Sequence, residues 1–219
     1  DLFTRRVNPD QVITNSRNVM DRYERIYGSR PRTAIPAPIM ISRFRNRPSE
    51  DFYFTAGGLR PNKRVDMQIE ALAGTGEKLV VAGDGPERGR LEKLASTLKA
   101  DVDFLGRVSE EELIDLYSRC KALIFSAQDE DFGMVPLEAM ASGKPVLCVN
   151  EGGPLEYLNG KVSFLFEDAG GLRGIVQKNS IDDYTSMRDD CLSLARRFDR
   201  PVIAGRMRKE IELILEEFY

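Results

Sequence analysis

From about residue 51 onward, short runs of consecutive apolar residues alternate with stretches in which apolar positions recur at helical spacing. The runs at 52–55, 78–82, 102–105, 122–125, 145–149 and 162–166 predict six strands. Between them the spacing predicts helices over 65–72 and 87–98, a third starting at Ser109, and a fourth around 136–141. Ser109 and Glu112 have the Ser-x-x-Glu spacing of a capping box, which marks the start of the third helix. The strands are continuously apolar rather than alternating, so both faces are expected to be buried under helices, as in a parallel sheet. Right-handed crossovers then give a doubly wound, Rossmann-like α/β fold with a six-stranded sheet, and ligands sit beyond the carboxyl ends of its strands.

The two ends follow another pattern. Residues 1–45 hold one candidate strand (11–14), an amphipathic helix (17–27) and a proline-rich stretch (31–38). They read as the tail of a preceding unit plus a linker. Residues 181–218 predict two amphipathic helices broken near Asp199-Arg200-Pro201. The expected division is therefore 1–45, a central α/β domain over 46–180, and a helical segment over 181–219.

Composition narrows the chemistry. Of 219 residues, 42% are hydrophobic and 31% charged, as in ordinary globular proteins. The apolar runs fall far short of a membrane span. The chain opens with Asp-Leu-Phe rather than Met and shows no signal peptide, so a trimmed or internal fragment is expected. Three scattered cysteines, Cys120, Cys148 and Cys191, match no metal-ligand spacing and read as buried thiols in a reducing compartment. There is no histidine, which removes imidazole bases, histidine triads and histidine-based zinc sites from this segment. A net charge of −3 gives no global electrostatic case for nucleic acid.

The segment richest in candidate chemistry is Ser126-Ala-Gln-Asp-Glu-Asp-Phe-Gly-Met-Val-Pro-Leu-Glu138. A strand ends in three consecutive acids, Asp129 to Asp131; Phe132-Gly133 permits a tight turn; and Pro136 suits the first position of a helix. The amides of Gly133, Met134 and Val135 would then emerge from a helix N-terminus, an arrangement that attracts phosphate. Glu138 would fall near the third helical position and Glu130 on the loop ahead. Two carboxylates flanking an anion cradle suit a ligand with hydroxyls on either side of phosphate. Taken singly, Glu138 is equally a carboxylate complementing a helix dipole, Glu130 a solvated loop acid, and Asp129-Glu-Asp131 a match to the metal-binding Asp-x-Asp pattern.

A second group, Ala56-Gly-Gly-Leu-Arg60-Pro-Asn-Lys63-Arg64, follows the first strand at the same edge of the sheet. Lys63 and Arg64 stand where a helix dipole repels cations, and a bridging anionic ligand would resolve that conflict. Gly83-Asp-Gly85-Pro-Glu-Arg-Gly89 is a poor dinucleotide fingerprint, because its third glycine is displaced and Pro86 intrudes; it reads as a tight strand-to-helix turn.

Together these motifs resemble the family 4 retaining glycosyltransferases, enzymes of the two-domain GT-B fold. Glu130-x7-Glu138 resembles their paired-glutamate motif, Leu59-Arg-Pro-Asn-Lys63 their basic phosphate loop, and Gly152-Gly153-Pro-Leu-Glu156 their glycine-rich donor loop. Gly83-Asp-Gly-Pro86 and Phe104-Leu-Gly-Arg-Val108 are also similar to family motifs, and Val12-Ile-Thr-Asn-Ser16 to the end of the family's N-terminal domain. The resemblance spans about residues 50–175 and implies the C-terminal, donor-binding domain. It implies that Glu130 hydrogen-bonds the donor hexose, Glu138 the ribose hydroxyls, and Lys63 the diphosphate, aided by the amides of Gly133 to Val135. The backbone near Arg107 and Val108 would contact the base. It implies no metal and no cofactor other than the nucleotide sugar, which argues against Asp-x-Asp. The family places an arginine where this chain has Gly58; Arg60 is the candidate substitute.

The implied function is transfer of a hexose, with mannose from GDP-mannose the first expectation and UDP-hexoses the next, in surface polysaccharide assembly. The implied acceptor is a glycan or a lipid-linked glycan, bound through an N-terminal domain that this chain lacks, so the chain alone is expected to bind donor and transfer little. The expected location is cytoplasmic, including peripheral association with the inner membrane surface. Two alternatives stay open: a non-catalytic or split-enzyme module of the same fold, and an NAD-dependent oxidoreductase. The second lacks a glycine fingerprint after its first strand.

Overall fold

The computed structural model describes residues 9–218; the first eight residues of the expected N-terminal remnant, and Tyr219, lie outside the described residues. Strands β3 (Tyr53–Ala56), β4 (Lys78–Ala82), β5 (Asp101–Gly106), β6 (Ala122–Phe125), β7 (Val146–Val149) and β8 (Ser163–Phe166) form one parallel sheet in the order β5-β4-β3-β6-β7-β8. The order reverses between β3 and β6, which leaves a crevice beyond the carboxyl ends of those two strands.

Both faces of the sheet are covered over its central strands, which is why those strands read as unbroken apolar runs; the edge strand β5 departs from this, with Asp101, Asp103 and Leu105 exposed. Leu123 and Phe125 of β6 pack on one side with α4 (Glu110–Arg119), α5 (Met134–Ala141) and α8 (Arg188–Arg196). Ala122 and Ile124 pack on the other with α2 (Val65–Leu72), α3 (Arg88–Leu98) and α6 (Ala169–Lys178). All four residues of β6 are buried because successive side chains point to opposite faces. The three cysteines are buried free thiols, and burial pushes each up to about 12.

The Ser109 hydroxyl accepts from the Glu112 amide at 3.2 Å, so α4 starts where the spacing predicts. The start of α5 differs. Its N-cap is Gly133, which places Pro136 third and Glu138 fifth in the helix rather than first and near third. Proline fits there because none of the first-turn amides has a carbonyl behind it.

The ends also differ from expectation. β1 (Ile13–Thr14) and α1 (Arg17–Tyr27) stand where the pattern puts them, but the proline-rich stretch contains β2 (Thr33–Ala34), paired in parallel with β1. Proline confines its predecessor to extended backbone, and the segment between Pro31 and Pro36 uses that geometry to bond: Arg32 donates to Val12 O and Ile35 to Thr14 O. After residue 180 there are three helices, not two: α7 (Ile181–Ser186), α8, and α9 (Arg200–Phe218). Thr185 and Ser186 turn their hydroxyls back onto the carbonyls of Ile181 and Asp183, competing with the helical ladder where α7 ends. No described helix is long and apolar enough to cross a membrane.

Candidate nucleotide-sugar site

At the β3–β6 crevice, the loop after β3 (57–64) meets the loop that leads from β6 into α5 (126–133). They are joined along their backbones. The Gln128 amide donates to Asn62 O at 2.7 Å, and the Ser126 hydroxyl lies 2.7 Å from Lys63 O. From the other side the loop after β4 supports the same segment, with Leu59 donating to Asp84 O at 3.0 Å and Glu87 donating to Leu59 O at 3.1 Å. Gly83 to Pro86 is thus a structural turn, as its spacing predicts.

Lys63 and Glu130 meet across the crevice: Nζ lies 2.7 Å from Glu130 Oε2, and both side chains are part-exposed. Nζ also lies 6.0 Å from the centre of the Phe125 ring. Arg64, at φ 47°, is held by a bond from Nε to Ser126 O at 2.8 Å and by an ion pair with Glu151. The conflict between these cations and the start of α2 is therefore settled by the protein's own carboxylates, and needs no bridging ligand. The Lys63–Glu130 pair brings a cation and a carboxylate from the two loops to one place in the crevice.

Gly133 occupies a left-handed conformation (φ 84°), and its carbonyl accepts from the Tyr157 hydroxyl at 2.5 Å. A side chain here would be strained and would meet Pro154 Cγ at 2.7 Å. The amides of Met134 and Val135, the first two residues of α5, have no intrahelical partners. The glycine-rich loop braces this turn from behind: the Gly153 amide donates to Glu130 O at 2.8 Å. Glu156 is turned away from the crevice, accepting from the amides of Arg17 and Asn18 at 3.0 and 2.8 Å and so capping α1. Asn18 Nδ2 reaches Glu130 O at 3.1 Å, and Arg22 pairs with Asp131 at 2.7 Å.

Glu138 lies one turn into α5, in a cleft of about 240 Å3 lined also by Met134, Tyr117, Phe44, Arg43 and Glu110. Tyr117 donates to Glu138 Oε2 at 2.7 Å. Burial pushes the carboxyl above the usual glutamate range; the Tyr117 bond and Arg43 act against that, while Glu110 adds to it. Arg107 and Val108 link β5 to α4 just ahead of Glu110, Arg107 exposed and Val108 packed against the core. Gly58 and Arg60 are exposed at the crevice rim, and no side-chain partner of Arg60 is seen among the described residues. Lys63 and Glu130 are brought together; Glu138 lines the neighbouring cleft with Met134, and Arg107 and Val108 are not among the residues that line it. Tyr117, Arg43, Phe44 and Glu151 carried no sequence signal, because each reaches its place through packing of distant segments.

The carboxyl of Glu138 holds its proton to higher pH in the folded chain than in the unfolded one. Between those two values the folded state binds more protons, so stability falls as pH rises through that window. Glu138→Gln should therefore raise the melting temperature of the ligand-free chain at neutral pH. The same change should weaken nucleotide binding. Thermal unfolding at neutral and acidic pH checks this, since the gain should vanish where Glu138 is protonated in both states.

The chain matches the family described as Glycosyl transferases group 1 over residues 40–173, more than half its length. It is 32% identical over 122 residues to an alpha-1,3/1,6-mannosyltransferase of Yarrowia lipolytica, covering 53% of this chain and 26% of that protein. To the N-acetyl-alpha-D-glucosaminyl L-malate synthase of Bacillus anthracis it is 30% identical over 219 residues, 97% of this chain and 51% of the relative. It therefore spans about a quarter to a half of the length of these curated relatives. Among solved structures, Anabaena HepE in complex with UDP and glucose superposes with a TM-score of 0.83 at 22% identity, covering 92% of this chain and 63% of that one. Sucrose-phosphate synthase from Thermosynechococcus elongatus gives 0.83 at 23%, covering 96% and 59%. With its motifs, its sheet order and these likenesses in agreement, the chain belongs to the group 1 glycosyl transferases, and its fold is that of the GT-B enzymes.

Proposed function

We propose that this chain is the donor-binding part of a retaining glycosyltransferase, which holds the diphosphate of a nucleotide sugar in the β3–β6 crevice. The observation that carries this reading is the Lys63–Glu130 pair, 2.7 Å across that crevice, on the loop that runs into the start of α5. In this reading Lys63 turns from Glu130 to the diphosphate. The amides of Met134 and Val135 then face the leaving oxygen, where charge grows as the glycosidic bond breaks; donors fixed in advance lower the barrier at that point. Glu130, released, accepts from hexose hydroxyls, and Glu138 from the ribose. The Arg107–Val108 backbone receives the base. No metal has a part in this reading.

Mannose from GDP-mannose is the proposed donor. Relatives named as GDP-mannose-dependent mannosyltransferases, such as one of Mycobacterium tuberculosis that is 36% identical over 102 residues, support it. A glycan or lipid-linked glycan would be the acceptor, in surface polysaccharide synthesis on the cytoplasmic side. It would be bound through a unit outside this chain, so the chain alone should bind donor without turning it over. Thermal unfolding with GDP, UDP, GDP-mannose and NAD, each with and without magnesium, tests the assignment. GDP and GDP-mannose at 100 times their dissociation constants should add about 2.7 kcal/mol without magnesium. Stabilisation by NAD alone would overturn it.

Gly58 offers a second test. Its φ is not in the left-handed range, and a Cβ there would meet nothing nearer than Asp84 O at 3.9 Å. Gly58→Arg should leave the fold intact and tighten GDP binding roughly 10-fold, the gain of one charge-assisted hydrogen bond. Calorimetric titration of both proteins with GDP measures it; unchanged affinity would mean that the diphosphate does not pass the crevice rim.

A further inference from the structure

The Tyr117 side chain is fully buried, yet it ends in a polar contact with a residue assigned to the ligand. Its ring meets Phe54 of β3 edge-on (centroids 5.1 Å apart, planes at 86°) and Phe44 of the segment before the sheet (6.2 Å, 66°). Core packing therefore fixes the hydroxyl, which donates to Glu138 Oε2 at 2.7 Å. Among the described residues no other side chain donates to Glu138, and its Oε1 has no side-chain partner. Around it stand Arg43, from the short turn Ile41–Arg43, and Glu110, from the first turn of α4, already paired with each other. A glutamate tethered by one oxygen has few rotamers left to lose when a ligand arrives. A donor on that oxygen also keeps a desolvated carboxylate ionised, the form that accepts hydroxyls.

We propose that Tyr117 is a positioning residue for nucleotide binding: its hydroxyl holds Glu138 Oε2, so that Oε1 stands free in the cleft for the vicinal hydroxyls of a ribose. This rests on the donor-binding reading above and adds to it a residue that touches no ligand.

The test is Tyr117→Phe, which keeps the ring packing and removes only the hydroxyl. Calorimetric titrations with GDP and with its 2′,3′-dideoxy analogue form a thermodynamic cycle. The variant should bind GDP about 5- to 10-fold more weakly at neutral pH, the cost of ordering a glutamate side chain that its tether no longer holds. Its affinity for the dideoxy analogue should equal that of the parent chain, because without ribose hydroxyls the pose of Glu138 no longer matters. Without the phenol, Glu138 also takes up a proton at higher pH, so acid loss of GDP binding should move to higher pH in the variant. Equal losses for both nucleotides, or unchanged GDP affinity with an unmoved pH profile, would overturn the proposal. Glu138→Ala separates the two levels. If it weakens GDP while Tyr117→Phe does not, only the positioning role falls; if Glu138→Ala leaves GDP binding unchanged, the assignment of Glu138 to the ribose falls as well.

Discussion

Replacing Lys63 with alanine should weaken binding of a nucleoside diphosphate by roughly 10- to 100-fold and leave binding of the bare nucleoside unchanged. The size follows from one lost charge-assisted contact to phosphate, worth about 1.5–3 kcal/mol. Fold stability should hardly change. The Lys63–Glu130 pair is part-exposed, with side chains 31% and 23% accessible, and pairs of this kind contribute about 0–1 kcal/mol. The contrast between a large ligand effect and a small folding effect separates a functional lysine from a structural one. Titration of GDP and guanosine against both proteins reads it directly. Parallel losses for the two ligands would show that Lys63 acts on the shape of the crevice and not on the diphosphate.

Gly153→Ala should do the opposite and damage the framework. A Cβ at this position would lie 2.1 Å from Asp131 O, 2.5 Å from Asp131 C and 2.7 Å from Phe132 Cα. All three are backbone atoms, so no side chain can swing aside. Either the glycine-rich loop or the acidic loop has to move, and the bond from the Gly153 amide to Glu130 O is lost with it. Overpacking of this kind destabilises by about 1–3 kcal/mol, or about 3–10 °C in melting temperature for a chain of this size. GDP binding should fall below detection, since the displaced loop carries Glu130 and the turn at Gly133. Gly160→Ala is the control: nothing lies within 4 Å of its added Cβ, and neither property should change. A Gly153 variant with unaltered melting and binding would mean that the two loops do not depend on each other.

The sheet was legible in the chain because burial on both faces leaves a plain mark. The residues of β6 and α2 stand where the apolar runs predict, with edges shifted by one residue at β3, β5, β7 and β8. The turn at Phe132-Gly133 was legible for a similar reason, since few residues other than glycine accept its backbone conformation. Pro136 misled because a first-turn proline fits at any of the positions whose amides lack helical partners, not at the first alone. What could not be read was contact between loops distant in the chain. Arg64 finds Glu151 87 positions away, and Glu156 finds the amides of Arg17 and Asn18 139 and 138 positions away. Tyr117 and Glu138, on neighbouring helices, have no periodicity in common that would announce their bond. Hydrophobic spacing encodes which face of an element is buried, whereas these contacts depend on how the faces come together.

The Lys63–Glu130 pair joins a cation and a carboxylate across one crevice, on the loop that leads into α5, and backbone-amide NMR of the isotope-labelled chain can follow these residues and the helix start at once. On titration with GDP, the amides of Gly58, Lys63, Glu130, Met134 and Val135 should shift together along a single binding curve, and in Lys63→Ala that curve should move to higher ligand concentration. Shifts confined to Gly83–Gly89, with Met134 and Val135 unmoved, would place the ligand elsewhere and contradict a diphosphate bridge across the β3–β6 crevice.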